Sequence, residues 1–416
     1  MLRGRSGLPR TVNTVRSTLL GHRVGGQRRR RRRAAWAAGI VGALVLATGS
    51  VGALAYVHLN GDITAAPLFS GTTGDAGVEK PDAFGKAPIN ILVIGSDGRS
   101  TPADCHLGGD CGPGANADVE MLVHVSADRS NATVMSIPRD TVTDLPACRD
   151  AATGASMAGH VGQINSTLTY GPGCTVAAVH QLSGVPIDHF AMVDFTGVVT
   201  MSDAVGGVQV CVSSNVYDPY SHLKLTRGVH TLKGLAALEF LRSRHAFGDG
   251  SDLGRTYAQH LFLSALVRNL RSAGTLANPA AVYSLADAAT KALTVDTGLG
   301  SIPSLVGLAA DLDKIPAQRV TFTTMPNRPD PTNASRVVMA SAAKSLLADI
   351  VADRSLSADQ ARTTLVPSVT DAHTQTASQT GTCARVSRNT TVVVAGRAMT
   401  PLQAFADSPA VPVSAP

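Results

Sequence analysis

The sequence predicts an α/β domain over residues 88–352, on three observations. Residues 89–95 (INILVIG) form an apolar run of strand length, the pattern of a strand buried on both faces. Two further strands, 119–125 (VEMLVHV) and 132–138 (ATVMSIP), follow it, separated by the turn Ala127-Asp128-Arg129-Ser130. Beyond them helical patterning interleaves with more strands, and that alternation marks an α/β fold.

The elements are read in order. Residues 60–88 are rich in Gly, Ala and Pro without a sustained period, so they read as a linker. After the third strand comes a helix around 175–182, then strands at 191–195 and 208–212, with Val205-Gly206-Gly207 as a tight turn between them. From Gly234 the chain passes from small helix formers into a polar, strand-like segment, 240–245 (FLRSRH). Ser251-Asp252 is a good N-cap, and the helix behind it carries Leu263, Leu266, Val267 and Leu270 on one stripe. A helix-rich stretch covers 279–312, 320–324 is a late strand and 341–351 a last helix. From 353 to 416 Ser, Thr, Ala, Gln and Pro predominate, so a mostly disordered tail is expected, with 391–394 able to pair as a strand.

Charge and cysteines set the surroundings. Eleven arginines and no acidic residue lie in 1–33; without them 25 basic residues face 30 acidic ones, so the body is not a basic nucleic-acid binder. Residues 34–59 follow with no ionised side chain over 26 positions, enough to cross a bilayer as a single helix. The arginine asymmetry puts the tail in the cytoplasm and the body outside the cell membrane. A cleaved signal peptide is the rival reading, against the length of the apolar run. The arginine run more readily grips anionic headgroups than nucleic acid, and no nucleic-acid partner is expected. All six cysteines lie after the apolar span, which suggests disulfides. Cys105 and Cys111 flank a short glycine-rich loop they can close; Cys148, Cys174, Cys211 and Cys383 allow three pairings.

Three strand ends carry the groups that matter for chemistry. Asp97 follows the first strand, Asp118 precedes the second and Arg139-Asp140 closes the third, so loops at the sheet edge can gather them in one crevice. Two carboxylates without thiolate or imidazole suit a hard cation such as Mg²⁺; capping of turns is their bland alternative. Arg242 and Arg244 share a face if they lie on a strand, and Arg255 and Gln259 share one on a helix. Arginine forks bind phosphate oxygens bidentately, whereas a plain charged surface is the rival. There is no GxxxxGK[ST], HExxH or GxSxG motif and no CxxC pair.

In order, 91–100 (ILVIGSDGRS), 117–126 (ADVEMLVHVS), 132–146 (ATVMSIPRDTVTDLP), 164–174 (INSTLTYGPGC), 232–245 (LKGLAALEFLRSRH) and 251–263 (SDLGRTYAQHLFL) resemble the LytR-CpsA-Psr family of envelope phosphotransferases. The resemblance covers 89–270 and more loosely runs to 352. It implies an α/β/α arrangement around a mixed central sheet, preceded by a single transmembrane helix, with a hydrophobic pocket for a polyprenyl chain. It implies transfer of a glycopolymer phosphate, teichoic acid or arabinogalactan, from a polyprenyl diphosphate to a peptidoglycan sugar hydroxyl, assisted by Mg²⁺ or Mn²⁺. On this reading Asp97 and Asp118 hold the metal. Arg139, Arg242, Arg244, Arg255 and Gln259 bind diphosphate, and Asp97, Asp118 and Arg139 form the catalytic set. Departures from the family pattern are Gln163 in place of a basic residue, Ala258 in place of an arginine, and Thr169-Tyr170. Two other classes remain: an envelope-related transcriptional attenuator, and a glycan-binding module without turnover (or a pyrophosphatase).

Overall fold

The computed structural model describes residues 36–37, 48–69, 76–81, 84–99, 101–107, 111–112, 114–150, 152–248, 252–272, 278–356 and 383–414. The chain divides into two units, Met1–His58 and Leu59–Pro416. Of the first, 36–37 and 48–58 are described, all helical. The tail 1–33 and residues 34–35 and 38–47 of the apolar stretch 34–59 thus lie outside the described residues; among those described, no helix is long and apolar enough to cross a membrane.

The second unit is built on a seven-stranded sheet. In chain order its strands are β1 (Thr64–Ala66), β2 (Ile89–Ser96), β3 (Ala117–Val125), β4 (Ala132–Ile137), β5 (His189–Val193), β6 (Leu293–Asp296) and β7 (Val320–Thr324). Across the sheet the order is β1-β6-β5-β2-β3-β4-β7. The β1/β6, β2/β5 and β4/β7 pairs are parallel and the other three antiparallel, so the sheet is mixed. Helices are α1 (Pro172–Ser183), α2 (Phe195–Ala204), α3 (Gly234–Arg242), α4 (Asp252–Ser272), α5 (Pro279–Ala292), α6 (Ile302–Asp313) and α7 (Ser341–Val351).

Side chains alternate across the pleat, and the two faces bury different partners. Leu92, Ile94, Leu122 and Met135 pack with Val176 and Val179 of α1 and with Leu346 and Ile350 of α7. Val93, Met121, Val134 and Phe322 point the other way, onto Tyr257 and Leu263 of α4. Helices therefore cover both faces, the α/β/α arrangement. This double cover is why β2 reads as apolar throughout rather than alternating.

Several expectations need correction. The segment 240–245 is not a strand: α3 runs to Arg242, because Ala237 and Phe240 turn onto the same core as Phe262 of α4. The strand expected at 191–195 ends at Val193, and Asp194 caps α2 by accepting from the Gly197 N–H at 2.7 Å. The stretch 279–312 conceals β6, a four-residue strand between two helices. Residues 60–88 are more than a linker, since β1 pairs in parallel with β6.

The expected disordered tail fails over 383–414. There a hairpin of Val392–Val394 and Arg397–Met399 leads into the helix Pro401–Asp407, whose Thr400 and Gln403 form a capping box. Val392, Met399 and Ala404 pack with Tyr217, and the buried Lys224 ammonium donates to the carbonyls of Ser408 and Val411. Residues 357–382 lie outside the described residues. Cys105 pairs with Cys111 as expected; the other four resolve into Cys148–Cys174 and Cys211–Cys383, leaving no free thiol.

Candidate active site

The site forms where β2 ends and β3 begins. Gly95 faces Val119 and Ser96 faces Ala117, so Asp118 is the extra residue of a β-bulge. A bulge re-aims a side chain out of the regular ladder, here toward the arginines. A Cβ on Gly95 would stand 2.8 Å from the Val119 side chain, so the close approach at the bulge requires glycine.

Asp118 is the hub. Arg139, one residue past Pro138 at the end of β4, makes an ion pair with Oδ1. Nη1 of Arg255 lies 3.3 Å from Oδ2, and its Nη2 donates to the Asp118 carbonyl at 3.0 Å. Burial alone would raise the Asp118 pKa, but Arg255, Arg139 and Arg244 together outweigh it and hold the carboxyl below its ordinary value. Arg255 reaches this point because α4 starts hard against the preceding loop. A Cβ on Gly254 would meet the carbonyls of Phe247 and Arg244 at 2.4 and 2.7 Å.

Arg242 ends α3 and donates to the Leu107 carbonyl at 3.0 Å, with its guanidinium 4.7 Å from the Phe195 ring centre. Burial, with the repulsion of Arg99, lowers its pKa, and Asp118 and Asp97 pull the other way. Gln259, one turn after Arg255, donates to the Leu241 carbonyl at 3.4 Å. Asp97 accepts from the Asn116 N–H at 2.6 Å and, through Oδ2, from the Asn116 amide at 3.4 Å. Asp97, Asp118, Arg139, Arg242, Arg244, Arg255 and Gln259 are thus brought to one end of the inner strands. The shared-strand argument for Arg242 and Arg244 does not hold; a helix end and the loop after it bring them in.

Sequence reasoning missed two groups. Arg99 lies 5.6 Å from the same Phe195 ring and repels Arg242, so it belongs to the cationic cluster; its position two residues after Asp97 was the available signal. Phe195 was assigned to a strand, so its role as a platform was invisible. Gln163, the departure from a basic residue, donates to Asp140 Oδ1 at 2.8 Å, and Asp140 in turn lies 3.5 Å from Arg139 Nε.

Behind the arginines runs an apolar cavity of about 290 Å³ between the sheet and α2, α3, α4 and α5. Asp118, Arg242, Arg255 and Gln259 line its charged part; Val93, Met121, Val198, Met201, Leu238 and Leu285 are among its apolar walls. Along α4 the lining changes from Arg255 and Gln259 to Phe262, Leu263, Leu266 and Leu270. At 1.5 Å per residue that gradient spans roughly 22 Å. Such a cavity accepts a long apolar chain with an anionic head.

Two carboxylates and no soft ligand fit a hard divalent cation, and Asp118 is held ionised. Asp97 follows the last residue of β2, and Asp118 is the bulged residue at the start of β3. Both carboxylates are within electrostatic reach of Arg242.

Comparison with known proteins agrees with this geometry. The LytR_cpsA_psr family model matches residues 58–349. The cell wall biosynthesis protein LcpA of Corynebacterium glutamicum is 33% identical over 311 residues, 69% of this chain and 58% of that protein. TagT of Bacillus subtilis, a polyisoprenyl-teichoic acid–peptidoglycan teichoic acid transferase, is 30% identical over 248 residues, 58% of this chain and 70% of that one. The matched region spans only 58% and 49% of the two corynebacterial relatives LcpA and LcpB. A LytR-Csp2A-Psr enzyme from Actinomyces oris shares the fold, with a TM-score of 0.50 at 24% identity, over 69% of this chain and 95% of that one.

Proposed function

The chain belongs to the LytR-CpsA-Psr family, and from that premise and the site we propose that it transfers a glycopolymer phosphate from a polyprenyl diphosphate carrier to a peptidoglycan sugar hydroxyl. The observation that carries this reading is the apolar cavity opening on Asp118, Arg242 and Arg255. A polyprenyl tail fits the cavity, which leaves the diphosphate among the guanidiniums.

Arg139, Arg242, Arg244 and Arg255 would bind the diphosphate oxygens and neutralise charge as it moves toward the leaving lipid phosphate. Asp118 fixes Arg139 and Arg255 before the ligand arrives, so the site is preorganised. The sugar hydroxyl oxygen bonds to the glycan-side phosphorus as its proton passes to Asp97 or Asp118, and the bridging oxygen leaves with the lipid monophosphate. Asp97 and Asp118 would hold Mg²⁺ or Mn²⁺, which supplies further neutralisation of the diphosphate. Purified full-length protein in detergent, given a short lipid-linked glycan, peptidoglycan and Mg²⁺, should yield glycan joined to the wall through a phosphodiester. Release of free glycan phosphate without any wall-linked product would instead make the protein a pyrophosphatase.

We further propose that 34–59 anchors the protein in the cell membrane with 1–33 cytoplasmic and the second unit outside. Eleven arginines on one side of the span and the disulfide pairing of all six cysteines support this. A reporter at the C-terminus that works only outside the cell is the expected outcome. Activity confined to the cytoplasm would remove the donor and acceptor from reach and end the transferase reading.

A further inference from the structure

A second depression, of about 300 Å³, shares no residue with the apolar cavity. Its side-chain walls are Asp97, Arg99, Asn116 and Thr169, completed by the small residues around Gly112 and Gly114. Among the described residues no branched aliphatic or aromatic side chain lines it, so these walls have nothing to offer an isoprenoid. It presents instead a carboxylate, a guanidinium, an amide and a hydroxyl side by side. That mixture of donors and acceptors suits a neutral polyhydroxylated ring better than a second phosphate, which Asp97 would repel. Its volume lies at the lower end of ordinary ligand sites, enough for one or two sugar rings.

The walls are held in place. Asp97 is clamped by Asn116, and the Thr169 hydroxyl donates to the Ala115 carbonyl at 3.0 Å, tying the 3₁₀ helix Ile164–Tyr170 to the rim. Arg99 is fixed by stacking on Phe195, while its Nε is buried without a hydrogen-bond partner among the described residues. A buried donor left unpaired is costly and calls for a ligand atom. Because Asp97 also belongs to the diphosphate site, whatever occupies this crevice abuts the reacting phosphorus.

We propose that the crevice is the subsite for the acceptor, seating one pyranose ring of the wall glycan with its hydroxyl toward Asp97. This rests on the transferase reading and adds the place from which the nucleophile comes. The same chemistry could instead receive the first sugar of the donor, and the test separates the two.

Thr169 is exposed, so Thr169→Trp can fill the crevice without disturbing the core. Transfer rates of the full-length protein are measured against soluble peptidoglycan oligosaccharide at saturating donor, and against donor at saturating acceptor. The expected result is an acceptor KM raised about tenfold or more with the donor KM within about twofold. Thr169→Ser, which keeps the hydroxyl without the bulk, should bring the acceptor KM back. If T169W fails to fold, as judged by its melting curve, Thr169→Gln carries the same comparison. An unchanged acceptor KM overturns the proposal, and so does a rise confined to the donor KM. A parent protein with no transfer at all would fail the transferase reading itself, whereas a parent that transfers beside an unaffected T169W fails the crevice alone.

Discussion

Arg255→Ala should lower transfer on the order of 100- to 1000-fold, the loss seen when one preorganised donor to developing charge is removed. It should also destabilise the protein, because Arg255 is only 4% exposed and its partner Asp118 is left without one of its two cations. A charge-assisted contact of this kind contributes about 1.5–3 kcal/mol. Arg242→Ala should reduce transfer comparably with a smaller cost to folding, since Arg242 stacks on Phe195 and bonds a carbonyl rather than a half-buried carboxylate. Arg→Lys at either position should be poorly tolerated, because an ammonium cannot reproduce the planar fork. Transfer rates and urea midpoints measured side by side separate the two effects. Parent-like transfer by the Arg242→Ala/Arg255→Ala double variant would remove the assigned site.

The second large effect concerns the lipid. Leu266 lines the apolar part of the cavity beyond Phe262 and Leu263, so Leu266→Trp should shorten the space available to the chain. Burial of a methylene is worth about 0.8 kcal/mol, so exclusion of one five-carbon isoprene unit costs roughly 4 kcal/mol, or about 1000-fold in donor affinity. The loss should appear with long polyprenyl donors and shrink with two-isoprene donors, which do not reach Leu266. Donor KM values across a chain-length series provide the test. A parent protein whose donor KM does not depend on chain length would show that the cavity is not the lipid site.

How far the sequence reveals this protein depends on the kind of information each feature carries. The strand at 89–95 is legible because burial on both faces makes it almost wholly apolar, and those at 119–125, 132–138 and 320–324 because apolar and β-branched residues run for strand length. Arg139 is legible from its place after a predicted strand end, and Arg242 and Arg255 from the ordered segments 232–245 and 251–263 that carry the family resemblance. The helix ending at Arg242 was misread because its polar C-terminal residues mask the apolar Leu238 and Phe240, whose burial depends on tertiary partners. The burial of Arg255 is not legible either, since it is set by α4 pressing on the 244–247 loop at Gly254. β6 is four residues long and β1 three, too short for any periodicity to register. The bulge that singles out Asp118 is a property of register between two strands, and no local pattern announces it. The ordered end at 383–414 is held by Cys383 and Lys224, contacts made to residues more than 150 positions away.

The Cys211–Cys383 bond bears on what a break in the backbone would do to the protein. Its two cysteines are 172 positions apart in the chain. Cleavage anywhere in 357–382 would cut the chain yet release nothing, because the fragment carrying Cys383 stays bound through sulfur to Cys211 beside α3 and α4. The hairpin and helix of 383–414 would keep their packing against Tyr217, and the Lys224 ammonium its two carbonyls. A nicked molecule would therefore run as a single species until reduced and would keep the arginine-lined mouth intact.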